Sequence, residues 1–443
     1  MRIGILGAGI AGLTAANTLT KEGHQVVVYE AAPQAGGLAA GFKDERWDWP
    51  LEKFYHHIFE TDAAILALAK DIGYADRTFF RSQITAQWWN GRGYNLNGAL
   101  PVMRFPALPV VDRVRLGLSV AYLKYGIRDW RPLEQTTAAE WTRRVMGDRV
   151  YSVFIEPLLE GKFGPYAHEV NMAWLWARFK ARSFKLGYFV GGFQGFVDQL
   201  LATVRRRGAT VELAAPVDAL RPVAAGGWEI HATGGEQAFD RVIVTGSPGL
   251  LSRLAPQLPD SYLGQVKSLR SMGAVVMTLA LTRPLTGGLY WVNMPKTQFP
   301  FLALVEHTNF ISREHYGGDH LVYCGDYLDP SHEYFRLSQD ELLQRFLPAL
   351  KRVNPRFEPS WVRDVWLHRE AYAQPIVPVN HSRHIPPLTT PLRGLFWASM
   401  SQVYPWDRGT NFAVEIGQRV AREVLQSDVA RSAPTERREI VTQ

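Results

Sequence analysis

An α/β fold built on a nucleotide-binding sheet is what the sequence predicts, and three observations near its N-terminus predict it. Ile3 to Leu6 is an apolar run, Gly7-Ala8-Gly9-Ile10-Ala11-Gly12 follows at once, and Leu13 to Lys21 carries the small and apolar spacing of a helix packed on a sheet. A second apolar run, Val26 to Tyr29, ends in the acid Glu30. Strand, tight turn, helix, strand and terminal acid in this order describe a Rossmann-like dinucleotide-binding unit.

Each residue type has its own reason. Gly7 makes the sharp turn, Gly9 lets backbone approach a pyrophosphate, and Gly12 permits close helix–strand contact. The N–H groups of the first helical turn then face the diphosphate. Glu30 can accept hydrogen bonds from both hydroxyls of an adenosine ribose, and its charge repels a 2′-phosphate, which disfavours NADP. An ordinary glycine-rich loop is the competing reading, and the flanking strands, helix and acid argue against it.

Composition sets the frame. The chain has 443 residues, 47% hydrophobic and 21% charged, a folded protein of about three domain-sized units. Cys324 is the one cysteine, so an internal disulfide and a cysteine-based metal cluster are excluded; no metal site is predicted, and a reducing cytoplasm is the expected compartment. Lys and Arg number 49 against 42 Asp and Glu, a net charge of +7, which suits an acidic ligand or an anionic membrane surface. The basic residues are scattered, and without a basic run or a recognisable module nucleic-acid binding is not expected. Met1-Arg2 leads straight into a strand pattern, so no export is expected. Arg, Lys, Asp or Pro interrupts every apolar stretch before the roughly 20 residues of a spanning helix.

The next segment separates FAD from NAD. Ala31-Ala32-Pro33-Gln34-Ala35-Gly36-Gly37-Leu38-Ala39-Ala40-Gly41-Phe42 places a glycine doublet soon after Glu30. From Arg2 to Phe42 the chain resembles the dinucleotide motif plus doublet of the flavin amine oxidase, protoporphyrinogen oxidase and phytoene desaturase superfamily. The resemblance implies FAD as cofactor, with Gly36 and Gly37 against it. Leu38 stands where the family usually has a basic residue.

In diluted form the resemblance continues along most of the chain and implies two interleaved domains. The FAD-binding domain is expected from residues 1–75, 190–249 and 391–426, and a mixed α+β substrate domain from 76–189 and 250–390, with a flexible tail at 427–443. Within the second FAD segment, Gly191 to Phe196 opens an amphipathic helix and Val211 to Leu213 reads as a strand. By resemblance, backbone at Val217 meets the adenine end. Gly394 to Ala398 reads as a buried strand and Thr410 to Val424 as a helix. Thr410 and Asn411 are good N-cap types, so N–H groups there would stabilise negative charge on the reduced ring. The family's Gly-Asp pattern is replaced by Ala398-Ser399-Met400 and a Tyr404 to Gly409 loop. Asp407 either stands in for the missing acid or pairs with a neighbouring basic group.

Three polar clusters are candidates for chemistry. Lys53 to Phe59 resembles the His-Ile-Phe segment of UDP-galactopyranose mutase, and His57 is the matching residue. Adjacent histidines cannot share one strand face, so at most one of His56 and His57 faces the isoalloxazine. The apolar run from Pro300 ends in Glu306-His307-Thr308-Asn309, where a buried Glu306 beside His307 could tune both for proton transfer, or simply bond a turn. Leu158 to Gly164 reads as a helix end resembling a protoporphyrinogen oxidase segment.

Ser271 to Leu281, the counterpart of the strand on which flavin amine oxidases place a lysine, has none, and no second GxGxxG unit serves a nicotinamide cofactor. Val110 to Lys124 mixes apolar and basic residues at helical spacing, as a core-facing helix or one lying on an anionic membrane. Together these features predict an FAD-dependent oxidoreductase removing hydride from a C–C or C–N bond of an apolar or cyclic, lipid-like small molecule. A mutase of the UDP-galactopyranose type and a non-catalytic flavin carrier are the alternatives. The substrate and the oligomeric state are not indicated.

Overall fold

The structure, a computed structural model, describes residues 1–432 except 184 and 225. Its organising feature is a five-stranded parallel sheet ordered Thr210–Glu212, Gln25–Tyr29, Arg2–Leu6, Arg241–Val244, Leu395–Trp397. Its three inner strands are buried along nearly their whole length, as parallel strands covered on both faces must be.

The helices Ile10–Lys21, Gly192–Arg206 and Thr410–Ser432 pack together over one face. Gly417 of the last helix sits so close to the first that a Cβ would lie 2.4 Å from the Ala11 carbonyl oxygen. A three-stranded antiparallel sheet, Val217–Pro222, Trp228–Ala232 and Gly235–Phe239, covers the other face with the helices Pro248–Leu254 and Asp260–Ser268. The sheet thus draws its strands from three separated stretches of chain.

The intervening stretches build a seven-stranded sheet ordered Val362–Pro375, Ser271–Leu281, His320–Leu328, Ala303–Glu306, Trp291–Asn293, Thr85–Trp89, Arg92–Asn95. A helical layer over residues 99–181 joins it. The segment 76–189, rich in helix formers, also supplies four strands, because Thr78-Phe79-Phe80 and Trp88-Trp89 bring the β-branched and aromatic types that strands favour. The C-terminal helix continues to Ser432, beyond Val424. Residues 433–443 of the expected tail lie outside the described residues. Among the described residues, no helix is long and apolar enough to cross a membrane.

Candidate active site

The glycine loop is built as the sequence predicts, and its glycines divide into two kinds. A Cβ on Gly12 would lie 1.9 Å from the Gly7 carbonyl oxygen, and one on Gly7, whose φ is +104°, would lie 2.5 Å from Thr245 Oγ1. Protein packing alone explains both. Gly9 is different: its φ is −72°, and a Cβ there would meet nothing nearer than the Gly37 Cα at 4.0 Å. The two loops therefore meet glycine to glycine, with Gly9 bridged to Gly36 and the Gly36 N–H donating to the Ala8 carbonyl at 2.9 Å. The absent side chains at Gly9 and Gly37 open a backbone cradle over the uncapped start of the first helix, the shape a diphosphate requires. Leu38 is half-buried beside it.

Glu30 is held in place by its own loop. One carboxylate oxygen accepts from the Ala8 N–H at 2.7 Å and the other from the Ala32 N–H at 2.9 Å. Each oxygen keeps a second lone pair for a ribose hydroxyl. The chain leading to Val217 runs alongside, since the Ala215 N–H donates to the Glu30 carbonyl at 2.8 Å. These residues fit the adenosine diphosphate half of FAD.

Thr410 and Asn411 are buried and form the first residues of the C-terminal helix rather than its cap, with the Ala413 N–H reaching back to the Gly409 carbonyl. The Asn411 side chain faces away from the helix start: its Oδ1 accepts from the Ala64 and Ile65 N–H groups at 2.9 and 3.1 Å, capping the helix Ala63–Asp71. Any contact of Asn411 with a flavin falls to its backbone. Gly417 touches the first helix, and Thr410 lies seven residues earlier, about 10 Å along the axis at 1.5 Å per residue.

Immediately before that helix, Asp407 forms the hub of a polar cluster. Arg178 Nη1 donates to Oδ2 at 2.6 Å and Lys162 Nζ lies 3.4 Å away; Trp174 Nε1, Gln374 Nε2 and the Arg408 N–H reach Oδ1 at 3.2, 3.3 and 3.1 Å. Burial alone would raise the Asp407 carboxyl, but Lys162, Arg178 and Arg408 override it and hold it well below the usual carboxylate range. Burial pulls Lys162 well below an ordinary lysine, although Asp407 opposes this. Of the two readings of Asp407, the geometry has the ion pair.

His57 stands next to this cluster, with a buried Nδ1 that has no hydrogen-bond partner. Burial pushes its pKa down to about 3, helped by Arg182, His56 and Arg178. His56 is also lowered by burial, to about 4, and its Nδ1 lies 2.5 Å from the Phe54 carbonyl oxygen. Tyr55 and Tyr327 connect the Lys53–Phe59 segment to Arg408, which hydrogen-bonds the Tyr327 hydroxyl.

Glu306 and His307 go elsewhere. The Glu306 carboxylate, fully buried, accepts from the Leu285 and Thr286 N–H groups at 3.1 and 2.7 Å and from the Thr286 hydroxyl at 2.5 Å, clamping a turn. His307 Nε2 lies 2.9 Å from the Tyr316 hydroxyl in an aromatic nest with Tyr188 and Tyr323, and burial lowers it to about 3. Neither touches Asp407 or Arg178.

Sequence reasoning missed Arg178, Arg182, Arg408, Tyr327 and Gln374. A signal was present: Met172 to Arg182 sets Arg178, Lys180 and Arg182 among Trp174, Trp176 and Phe179, cations within an otherwise apolar helix. Nothing local indicates that a loop 229 residues after Arg178 supplies the counter-charge.

Sheet, glycine cradle, Glu30 and buried polar cluster together are those of a dinucleotide-binding enzyme fold of the flavin type. The chain belongs to the flavin containing amine oxidoreductase family, whose model matches residues 10–425. It is 22% identical to bovine amine oxidase [flavin-containing] A over 459 aligned positions, 96% of this chain and 84% of that one. Three other curated relatives, among them protoporphyrinogen oxidase 1 of Spinacia oleracea at 24% identity, match along only 32%, 17% and 34% of their own length. Among solved structures, putrescine oxidase bound to putrescine superposes with a TM-score of 0.72 at 16% identity, covering 96% of this chain and 99% of that one. Reduced UDP-galactopyranose mutase does so at 0.73 and 16%, over 96% and 95%. At such identities these two likenesses are of fold alone.

Proposed function

We propose that this protein is an FAD-dependent oxidoreductase removing hydride from a C–C or C–N bond of an apolar or cyclic small molecule. The observation that carries the reading is Gly9, whose ordinary φ and open surroundings do not require glycine within the protein, whereas close approach of a diphosphate does. Gly7, Gly9, Gly12, Gly36, Gly37, Leu38, Glu30 and Val217 hold the adenosine diphosphate half, and backbone at Thr410 and Asn411 faces the ring. FAD held there would supply the hydride acceptor, with loss of the neighbouring C–H or N–H proton to water giving a C=C or C=N bond and the electrons passing on to an acceptor. His57 acts as a neutral hydrogen-bonding group, while Glu306 clamps the turn at Leu285 and Thr286 and His307 sits in the aromatic nest with Tyr316.

The mutase alternative is not favoured, because the family to which the chain belongs is one of oxidoreductases. Purified protein supplied with FAD should show the visible flavin band, which bleaches on anaerobic reduction and returns in air. Absence of the band after FAD addition sinks the proposal, as does interconversion of UDP-galactopyranose and its furanose form by the reduced enzyme.

A second reading concerns the partner surface. Nine large apolar residues are exposed among the described residues, and seven of them, Leu100, Val110, Val111, Val114, Leu118, Tyr122 and Tyr125, fall between positions 100 and 125. Leu116 and Leu123 of the same stretch face the core, so the helix Val110–Ala121 and the turn after it are apolar on two sides. Residues 100–131 carry six basic and two acidic side chains. Arg113 and Arg115 donate to backbone carbonyls, which hold them without cancelling their charge. An anionic bilayer, such as the inner face of the cytoplasmic membrane, matches this surface and would deliver a lipid-like substrate. Co-sedimentation with phosphatidylglycerol vesicles but not phosphatidylcholine vesicles, abolished by V111D/L118D, is expected; equal recovery of that variant with phosphatidylglycerol sinks it.

A further inference from the structure

The antiparallel hairpin of strands Trp228–Ala232 and Gly235–Phe239 has two faces of opposite character. Trp228, Ile230 and Phe239 are buried in the core that lies against the nucleotide-binding sheet. The pleat turns the residues between them the other way: Glu229 and His231 share the outer face, and the register sets Glu236 directly across from His231. Their remaining cross-strand neighbours on that face are small, Ala219 opposite His231 and Ala238 opposite Glu229, which leaves room beside the imidazole. The ring lies between the two acids, with Nε2 3.0 Å from Glu229 Oε2 and Nδ1 2.6 Å from Glu236 Oε1. Its side chain is 12% exposed, against 35% and 58% for the acids. Among the described residues, this is the one trio of His, Cys, Asp or Glu side chains that offers an ion one donor atom each, all within 4.8 Å of one another.

A neutral imidazole donates from one nitrogen and presents a lone pair at the other, so carboxylates against both nitrogens need a further cation at one of the two contacts. A proton there leaves the three side chains with a net negative charge, whereas a divalent ion beside the neutral ring balances both carboxylates. We propose that Glu229, His231 and Glu236 bind a divalent transition-metal ion of the zinc type. One imidazole nitrogen with two carboxylate oxygens is a zinc donor set, while magnesium and calcium take oxygen ligands. Donors about 2.0–2.1 Å from zinc stand roughly 3.3 Å from one another, so the widest separation in the trio closes on binding. Glu236, the most exposed of the three and close to the Thr233-Gly234 turn, supplies that movement, and the buried face of the hairpin keeps Glu229 and His231 in place. Water fills the fourth position on the solvent side. The ion clips the two strands together across their turn, and its binding free energy adds to the stability of the sheet that covers the nucleotide-binding strands. This role is independent of the flavin.

The test uses the full-length protein, stripped of metal by a chelator that is then dialysed away. In equilibrium dialysis against dilute zinc chloride, wild type should retain about one zinc ion per chain. Its melting temperature should rise with zinc and stay where it is with magnesium chloride at the same concentration. His231→Gln removes the nitrogen donor and should lose at least about tenfold in zinc affinity, together with the rise in melting temperature. Glu236→Gln, at an exposed position, should lose both in the same way while the metal-free protein melts as wild type does. Flavin content should be alike in all three proteins. Zinc held equally by wild type and both variants overturns the site. So does a wild type that retains no zinc, which leaves a proton as the cation between the two acids.

Discussion

Arg178 Nη1 lies 2.6 Å from Asp407 Oδ2, and this pair ties the helix Met172–Ala181 to the loop that opens the C-terminal helix. Both side chains are largely buried, at 15% and 18% exposure, so the contact is a long-range pin with little solvent screening.

Removing the carboxylate leaves buried cations facing one another. Asp407→Asn should therefore cost about 3–5 kcal/mol at pH 7, the range for breaking a buried pair from one side. The sign with pH follows from the depressed carboxyl: its contribution is complete above the unfolded value near 4 and is lost as pH falls through the lower folded value. Denaturant unfolding of both proteins at pH 7 and pH 5 should give the same gap. A gap below about 1 kcal/mol at pH 7 would show that the pin does not hold the helix and the loop together.

The two kinds of glycine should part under substitution. Gly9→Ala adds a methyl group at an ordinary φ with open space around it, so the melting of the FAD-free protein should move by no more than about 0.5 kcal/mol. FAD affinity should still fall at least tenfold, about 1.4 kcal/mol. Gly12→Ala, with its Cβ 1.9 Å from the Gly7 carbonyl oxygen, should destabilise the FAD-free protein as well. Undiminished FAD binding by Gly9→Ala would show that the cradle holds no diphosphate.

The legible parts of this molecule are those whose causes are local. Gly7 to Gly12 and Glu30 act within one βαβ unit, and their spacing carries their geometry. The Asp407 cluster joins Lys162, Arg178, Gln374 and Asp407, four positions spread over 245 residues, and only tertiary packing brings them together. Glu306 and His307 left two readings open for a related reason: an acid beside a histidine at a strand end suits a proton-transfer pair or a turn, and the turn at Leu285 and Thr286 and the Tyr316 hydroxyl, all distant from that strand or out of its register, decide where the side chains point. Asn411 had the right type for a cap and capped a different helix.

Glu52 is buried at 1% exposure, accepts from the Tyr188 hydroxyl and, at 2.7 Å, from the Phe193 N–H. Burial nevertheless raises it from 4.5 to about 7. A raised carboxyl favours the folded state below its unfolded value and loses that advantage as pH rises through the folded one. At about 1.4 kcal/mol per unit, ionising it costs roughly 3 kcal/mol between pH 4 and pH 8. Glu52→Gln cannot ionise, so its stability relative to wild type should improve by about that amount across the same interval, measured by denaturant titration at each pH. A difference that stays constant with pH would show that burial does not raise the Glu52 carboxyl above its unfolded value.

His57 is the group whose role depends most on its charge. Burial, with Arg182, His56 and Arg178, lowers its pKa to about 3, so the imidazole is neutral from pH 5 to pH 8 and cannot act there as an acid. A neutral ring with an unpartnered Nδ1 can still orient a bound molecule or one proton of it. His57→Gln keeps a neutral hydrogen-bonding group and should change the rate of flavin reoxidation in air by no more than about tenfold. The pH profiles of the two proteins should have the same shape across pH 5 to 8, since neither side chain titrates. An inflection in the wild-type profile that vanishes in the variant would show a titrating His57, and with it a site less dry and less cationic than the contacts of Arg178 and Arg182 make it.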